Sequence, residues 1–156
     1  MLKINIVAIG DIKEQYLKDG ISEYMKRISR FAEIKICELK EHNPTSNNPN
    51  DIAIALQKDA IQIKNKLKGY PISLDIDGKS MDSVEFSKFI DKLSLKTSEI
   101  SFIIGASNGL SEEIKALCKD KISFSKMTFP HQLMRMILLE QIYRAFTIIN
   151  NISYHK

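Results

Sequence analysis

Ser123-Phe-Ser-Lys-Met-Thr-Phe-Pro-His131 is the stretch that joins the last predicted strand of the chain to its last predicted helix. Lys121–Phe124 has the pattern of a short strand, and Ser125–Pro130 that of a polar loop. Pro130 suits the first turn of a helix, because a proline lacks the N–H group that would be unpaired there. An apolar helix is predicted over His131–Asn150. Strand, loop and helix in succession are the local pattern of an α/β fold.

The same alternation of strand and helix extends back to the start of the chain. Further strands are predicted at Leu2–Ile9, Glu33–Leu39, Tyr70–Ile76 (closed by a turn at Asp77-Gly78) and Ile100–Ile104. Further helices are predicted at Lys13–Ile28, Ile52–Leu67, Ser83–Leu95 and from Ser111-Glu-Glu-Ile114 onward. Ile100–Ile104 is apolar throughout, which is typical of a parallel strand that is covered on both faces. The pattern predicts one α/β domain over residues 1–156, with a mostly parallel sheet and helices on both faces.

Composition and charge exclude several classes of protein. The chain has 156 residues, of which 44% are hydrophobic, so it can bury a core as one globular domain. No apolar run reaches the ~20 residues that a membrane span requires, and the first residues form a strand pattern instead of a signal peptide. We therefore expect a cytoplasmic protein with no membrane segment. The net charge of +4 favours a polyanionic partner, but only weakly.

Cysteines and histidines do not form a metal site in this sequence. Cys37 and Cys118 are far apart and form no C-x-x-C motif, so they are predicted to be small buried side chains in a reducing compartment. His42, His131 and His155 lack the spacing of metal ligands. The sequence predicts no bound metal.

Three predicted strands end in loops of small or polar residues, at Leu74–Gly78, Gly105–Gly109 and Ser125–Pro130. Ligands of open α/β sheets bind beyond the carboxyl ends of the strands, so the three loops are expected to form one crevice. Gly105–Gly109 is not G-x-G-x-x-G and no Gly-Lys-Ser/Thr follows it, which argues against a P-loop. Unpaired backbone groups in Ser125–Pro130 are what a flat adenine ring needs. Plainer interpretations remain open: a simple turn at Gly105–Gly109, and core packing of Met127 and Phe129.

The predicted helix His131–Asn150 is apolar on nearly all sides. Such a helix is either central in the fold or at a subunit interface, and for an edge position on a small domain the interface is favoured. Burying Arg135 and Arg144 at an interface would be costly unless each is paired or faces a polyanion. For Arg144 the plainer explanation is an ion pair with Glu140 on the same helix, at i,i+4 spacing. The tripeptide Tyr154–Lys156 puts titratable groups at a free end, although chain ends are usually frayed.

Several blocks of residues resemble one known family along the whole chain. They are Val7-Ala-Ile-Gly10, Leu74-Asp-Ile-Asp-Gly-Lys79, Phe102-Ile-Ile-Gly-Ala-Ser-Asn-Gly-Leu110, Ser123-Phe-Ser-Lys-Met-Thr-Phe-Pro-His-Gln132, Arg135, Glu140-Gln-Ile-Tyr-Arg-Ala-Phe146 and Tyr154-His-Lys156. The chain resembles the ribosomal large subunit methyltransferase H family, which methylates N3 of a pseudouridine in 23S rRNA. The last two blocks are highly specific, whereas the first is not.

The resemblance implies a SPOUT fold, in which the C-terminal segment threads a loop to form a trefoil knot. Knots are so rare that no sequence pattern predicts one. It also implies a homodimer with the last helix at the interface, and a substrate in the helix 69 region of the assembled ribosome. The implied cofactor is S-adenosylmethionine, held in a bent shape by Leu74, Gly105, Ser125, Lys126, Met127, Thr128, Phe129 and Pro130.

The implied reaction assigns roles to the C-terminal residues. N3 of a uracil-like ring carries an imide proton that must leave, and an imidazole suits this task near neutral pH. His155 is the expected base, with Tyr154 and Arg135 as the other catalytic candidates, although water could take the proton. Arg144 and Lys156 are expected to contact RNA.

Other assignments remain open at this point. His131, beside a helix start, is expected to be structural or a neighbour of the cofactor. The chain could also be a ribosome-binding factor of the same fold that lacks catalysis, which would bind no S-adenosylmethionine. A knotted methyltransferase acting on tRNA is the other alternative; methyl incorporation into ribosomes or into tRNA would separate the two enzymes.

Overall fold

Five parallel strands form one sheet, and five helices connect and cover them. The computed structural model describes all of residues 1–156. The strands are β1 (Leu2–Ile9), β2 (Ala32–Leu39), β3 (Tyr70–Ser80), β4 (Glu99–Ile104) and β5 (Asp120–Ser123). The helices are α1 (Gln15–Ile28), α2 (Pro49–Lys66), α3 (Ser83–Ser94), α4 (Glu112–Leu117) and α5 (His131–Ile149). The predicted elements are all present, most with small shifts of their ends.

Strand order in the sheet is β2-β1-β4-β3-β5, and every neighbouring pair is parallel. The carboxyl ends of all strands therefore lie at the same edge of the sheet, where ligands of open α/β sheets bind. The central position of β4 explains its uninterrupted apolar sequence, since both of its faces are covered.

The sheet separates two hydrophobic cores. Ile4, Ile6 and Ala8 of β1 join a core that includes side chains from α1, α3 and α5. Val7 and Ile9 of the same strand join a second, smaller core with α2 and α4. The alternation of side chains along β1 thus serves both cores. Helices on both faces of a parallel sheet, as predicted, are confirmed.

Strand β3 is longer than predicted and contains the expected turn. Tyr70–Ile76 was expected to end at Asp77-Gly78, but pairing with β5 resumes beyond these residues. Leu74 and Lys79 are both opposite Ile122, so the residues between them bulge out of the ladder. The turn-forming residues therefore mark a bulge beside the sheet edge, not the end of the strand.

Helix α5 lies between α1 and α3, not at an edge as predicted. None of its residues is fully exposed. The sheet and the two flanking helices together explain most of its apolar sequence, because they cover it from several sides. Its all-round apolar pattern therefore does not by itself require a second subunit.

The remaining sequence predictions have mixed outcomes. Cys37 and Cys118 are free, but they are only half-buried and not buried as predicted. Among the helices, none combines the length and the apolarity needed to cross a bilayer. The knot stays a prediction from the resemblance.

Candidate functional site

A cavity of about 290 Å³ lies at the carboxyl edge of the sheet, bordered by the bulge of β3, by the segments that follow β4 and β5 and by the start of α5. It brings together Leu74, Gly105 and Ser125, one from each predicted loop. Its lining consists of Leu74, Asp75, Ile76, Ile104, Gly105, Ala106, Ser107, Gly109, Leu110, Lys115, Ile122, Ser123, Phe124, Ser125, Met127, Thr128, Phe129, His131 and Met134. A volume of this size is close to the lower end of small-molecule sites.

One wall of the cavity is apolar and another is made of irregular backbone. Ser125 holds its own loop, since its hydroxyl accepts a 2.9 Å hydrogen bond from the N–H of Met127 and its carbonyl accepts one from Ser123. No backbone–backbone hydrogen bond outside the regular elements involves residues 125–129. Most polar backbone groups of this loop are thus available to a ligand. A flat apolar face beside free N–H and C=O groups fits a purine ring.

Gly105 lacks a side chain for a reason internal to its loop. A Cβ atom there would lie 2.5 Å from the carbonyl oxygen of Gly109, which folds back over it. Ala106 and Gly109 also form an isolated antiparallel bridge. The fold of the loop thus accounts for a glycine at this position without any contact from a ligand. A bulky residue at this position would disrupt the loop even when no ligand is bound.

Two of the residues expected at the cofactor lie outside the cavity. Lys126 is exposed and does not line it, and Pro130 is the N-cap residue of α5. His131 does line it. A Cβ atom placed on Gly10, at the end of β1, would lie 3.6 Å from the Nε2 atom of His131. The imidazole therefore lies where the cavity meets the end of β1.

Sequence reasoning missed a charged pair in the cavity wall. Asp75 and Lys115 line the cavity, with Nζ of Lys115 3.2 Å from Oδ2 of Asp75. Burial opposes the ionisation of Asp75, but the N–H of Asp77 and the ammonium of Lys115 outweigh it and hold the pKa of Asp75 below its usual value. The position of Asp75, directly after Leu74, was the available signal; nothing in the spacing pointed to Lys115.

Arg135 lies in the protein interior, with only 2% of its side chain exposed. Its Nη1 atom is 2.5 Å from Oε2 of Glu38, and its Nη2 donates to the carbonyl oxygen of Gly10 at 3.0 Å. The expected contact of Arg135 with substrate is therefore corrected: in this arrangement it ties α5 to the ends of β1 and β2. Through Gly10 it supports the wall beside His131.

The C-terminal tripeptide is packed against the far half of α5. The ring of Tyr154 lies 4.8 Å from the ring of Tyr143, and the guanidinium of Arg144 lies 4.8 Å from the Tyr154 ring centroid. Nη1 of Arg144 is 3.2 Å from Nδ1 of His155. Arg144 also pairs with Glu140 at 2.6 Å, as its i,i+4 spacing predicted. The tail is thus held in place, not frayed.

Ionisation of two side chains in this cluster is shifted. Its hydrogen bond with Glu140 raises the pKa of Arg144. Burial, with the nearby charge of Glu140, raises the pKa of Tyr154. Tyr154 is therefore a protonated hydrogen-bond donor at neutral pH. Lys156 is exposed beyond the cluster.

The cavity and the tail are separated within one chain. His131 borders the cavity, whereas the tail contacts α5 at Glu140, Tyr143 and Arg144. These positions are about 14–20 Å farther along the helix axis at its rise of ~1.5 Å per residue. No tail residue lines the cavity of its own chain.

Comparison with known proteins identifies the family. A family profile described as "Predicted SPOUT methyltransferase" matches residues 2–155. The chain is 47% identical to the ribosomal RNA large subunit methyltransferase H of Fusobacterium nucleatum, covering 99% of this chain and 100% of that protein. It is 46% identical to the protein of the same name from Carboxydothermus hydrogenoformans, with the same coverage.

Solved structures with the same fold are more distant in sequence. A probable methylase family protein from Haemophilus influenzae matches with a TM-score of 0.57 at 16% identity, over 98% of this chain and 70% of that one. The tRNA (m1G37) methyltransferase of Aquifex aeolicus matches with a TM-score of 0.53 at 14% identity, over 92% and 69%. A putative methyltransferase from Legionella pneumophila, solved with the cofactor SAM bound, matches with a TM-score of 0.51 at 12% identity. The match covers 92% of this chain and 66% of that one. The parallel sheet, the strand-end cavity and the full-length relatives agree: the chain belongs to the SPOUT methyltransferases and, among them, to the ribosomal RNA large subunit methyltransferase H family.

Proposed function

We propose that the chain transfers a methyl group from S-adenosylmethionine to N3 of a pseudouridine in 23S rRNA, in the helix 69 region of the assembled ribosome. The observation that carries this proposal is the strand-end cavity, in a chain whose full-length relatives are named ribosomal RNA large subunit methyltransferase H. The net charge of +4 is compatible with an RNA partner. We also propose that the protein is cytoplasmic, where ribosomes are found.

The cofactor is S-adenosylmethionine, which supplies an activated methyl group when bound. Leu74, Gly105 and the loop Ser125–Phe129 would hold it, with Lys126 and Pro130 shaping that loop from outside the cavity. The free backbone groups of the loop support binding of the adenine ring. Because the methyl group is already activated, the main task of the protein is to hold donor and acceptor in line.

Removal of the N3 proton is the step that needs a side chain or water. His155 is our candidate, but its Nδ1 accepts a hydrogen bond from Arg144, so a neutral ring carries its proton on Nε2. His155 would have to leave Arg144 before taking a proton through Nδ1. Tyr154, which is protonated, would donate a hydrogen bond to the base. Arg144 and Lys156 would then contact RNA phosphates.

We propose that the protein acts as a homodimer in which the tail of one chain completes the cavity of the other. The separation of tail and cavity along α5 supports this arrangement, because neither chain alone brings the two together. Ile137 and Ile148 support an interface on α5: they are half-buried, on the same side of the helix as Arg144, and do not pack on the core. Arg135, which is buried, would position the cavity wall and would not touch the substrate.

Methyl incorporation from labelled S-adenosylmethionine tests the proposed reaction. Assembled ribosomes, protein-free 23S rRNA and total tRNA are compared, and ribosomes with uridine in place of the pseudouridine serve as the matched control. We expect label in 23S rRNA of the pseudouridine-containing ribosomes only. Label in tRNA would point to the other enzyme class, and binding of the cofactor without any transfer to RNA would contradict the enzymatic proposal.

Mixed dimers test the shared site. Deleting Tyr154–Lys156 should leave the dimer and cofactor binding nearly unchanged and abolish methylation. A Gly105→Val chain, whose loop is disrupted, should also be inactive. Dimers formed from one chain of each kind keep one intact cavity and one intact tail, and should regain activity if the tail acts in trans. Inactivity of purified mixed dimers would mean that each tail serves its own chain.

A further inference from the structure

The pair of Asp75 and Lys115 is the only pair of opposite charges in the wall of the cavity. Among the lining residues no other side chain is a carboxylate, an ammonium or a guanidinium. Side-chain exposure is 10% for Asp75 and 23% for Lys115. Asp75 lies in the bulge of β3 and Lys115 belongs to α4, so the pair bridges two elements at the cavity edge.

Neither partner uses its full hydrogen-bonding capacity within the chain. Asp75 accepts through Oδ1 from the N–H of Asp77 at 3.1 Å and through Oδ2 from Lys115. A carboxylate has room for about four donors. Lys115 has three N–H donors; apart from Asp75, its Nζ has only Glu112 nearby, at 3.8 Å. Both charges can therefore accept a further partner from the cavity.

A half-buried ion pair of this kind is a costly way to join two elements. Withdrawing two charges from water offsets much of their attraction, and apolar residues of similar volume often stabilise a protein as well or better. The pair is explained more fully if a ligand with charges of its own lies against it. A ribose alone would need only a carboxylate, whereas an amino-acid group, with one ammonium and one carboxylate, matches both signs.

We propose that Asp75 and Lys115 bind the amino-acid end of S-adenosylmethionine, with Asp75 accepting from its α-ammonium and Lys115 donating to its α-carboxylate. This inference rests on the cofactor of the proposed function and is independent of the RNA substrate. It makes the pair a determinant of affinity for the methionine part, whereas the loop Ser125–Phe129 and the apolar wall bind the adenosine part.

Calorimetric titration of the full chain with three ligands tests the assignment. S-adenosylmethionine and S-adenosylhomocysteine both carry the amino-acid group, and only the first carries the sulfonium charge; 5′-deoxy-5′-methylthioadenosine carries neither. Lys115→Met and Asp75→Asn should each weaken the first two ligands about tenfold to hundredfold, the range of a lost charge-assisted hydrogen bond. Binding of methylthioadenosine should change less than about twofold. Lys115→Arg, which keeps the positive charge, should retain most of the affinity.

Glu112→Gln is the matched control, because Glu112 approaches Lys115 from solvent and its side chain is 92% exposed. It should leave all three affinities unchanged. If the Asp75 and Lys115 variants lose affinity equally for all three ligands, the proposal is overturned, and the pair then only maintains the shape of the cavity. If affinity falls for S-adenosylmethionine but not for S-adenosylhomocysteine, the proposal is also overturned, because the pair would then recognise the sulfonium charge and not the amino-acid group. Should Asp75→Asn fail to fold, the two Lys115 variants decide the question by the same criteria. Absence of S-adenosylmethionine binding by the unsubstituted chain would overturn both this proposal and the cofactor assignment.

Discussion

Breaking the ion pair of Arg135 and Glu38 should have unequal effects depending on which partner is removed. Glu38 has 46% of its side chain exposed, whereas Arg135 has 2%. Glu38→Gln leaves a buried guanidinium without a counter-charge, which costs about 3 kcal/mol, at the low end for buried pairs because water reaches one side. Arg135→Met leaves a carboxylate that water can solvate. Glu38→Gln, although it changes fewer atoms, should therefore lower the free energy of unfolding more than Arg135→Met does.

The cost of Arg135→Met can be worked out from its contacts. The carbonyl oxygen of Gly10 loses its donor, a loss on the order of 1–2 kcal/mol for a buried group. Methionine fills most of the vacated volume, and the buried Nε of Arg135, which has no partner, is removed as well. The expected destabilisation is therefore about 1–2 kcal/mol, below that of Glu38→Gln.

Urea unfolding at 25 °C, followed by circular dichroism, measures the free energy of unfolding of both variants, provided that the transitions are two-state and have the same m-value. Glu23→Gln is the control, because Glu23 and Arg27 form an exposed i,i+4 pair and its loss should cost less than about 0.5 kcal/mol. If Arg135→Met proves as destabilising as Glu38→Gln, or more so, the burial argument is refuted.

Two other predictions concern the edge of the sheet and its turns. A 2.5 Å hydrogen bond to Asp120 raises the pKa of Tyr70 to about 12, so its contribution to stability is complete below about pH 10 and is lost as the pH rises to about 12. Tyr70→Phe should lower the free energy of unfolding by about 1 kcal/mol at pH 8 and by almost nothing at pH 12, and equal effects at both pH values would contradict this. Gly69 and Gly109 both have positive φ. A Cβ atom added to Gly69 would lie 2.0 Å from a backbone oxygen of β4, whereas a Cβ atom added to Gly109 would have no other atom within 4 Å. Thermal unfolding should therefore show a cost of about 1–2 kcal/mol for Gly109→Ala and a clearly larger one for Gly69→Ala; the reverse order would show that the contact at Gly69 relaxes.

Periodic patterns along the chain determined the elements and the class of the fold. Apolar runs such as Leu2–Ile9 and helical spacing such as that of His131–Ile149 depend on neighbours a few residues apart, so they can be recognised in sequence alone. The position of the cavity followed from the rule for parallel sheets, once Gly105–Gly109 and Ser125–Pro130 were recognised as strand-end loops.

Only the tertiary structure decided how distant residues meet. The location of α5 between α1 and α3 depends on strand order and crossovers, which spacing does not encode. Arg135 carried the same charge in the sequence as any exposed arginine; its burial follows from contacts with Gly10 and Glu38, more than ninety positions away. Asp75 and Lys115 are likewise joined only by folding. Local periodicity determines which side of an element is apolar. Which charged residues meet in a buried space depends on long-range packing, and the spacing of residues along the chain does not predict it.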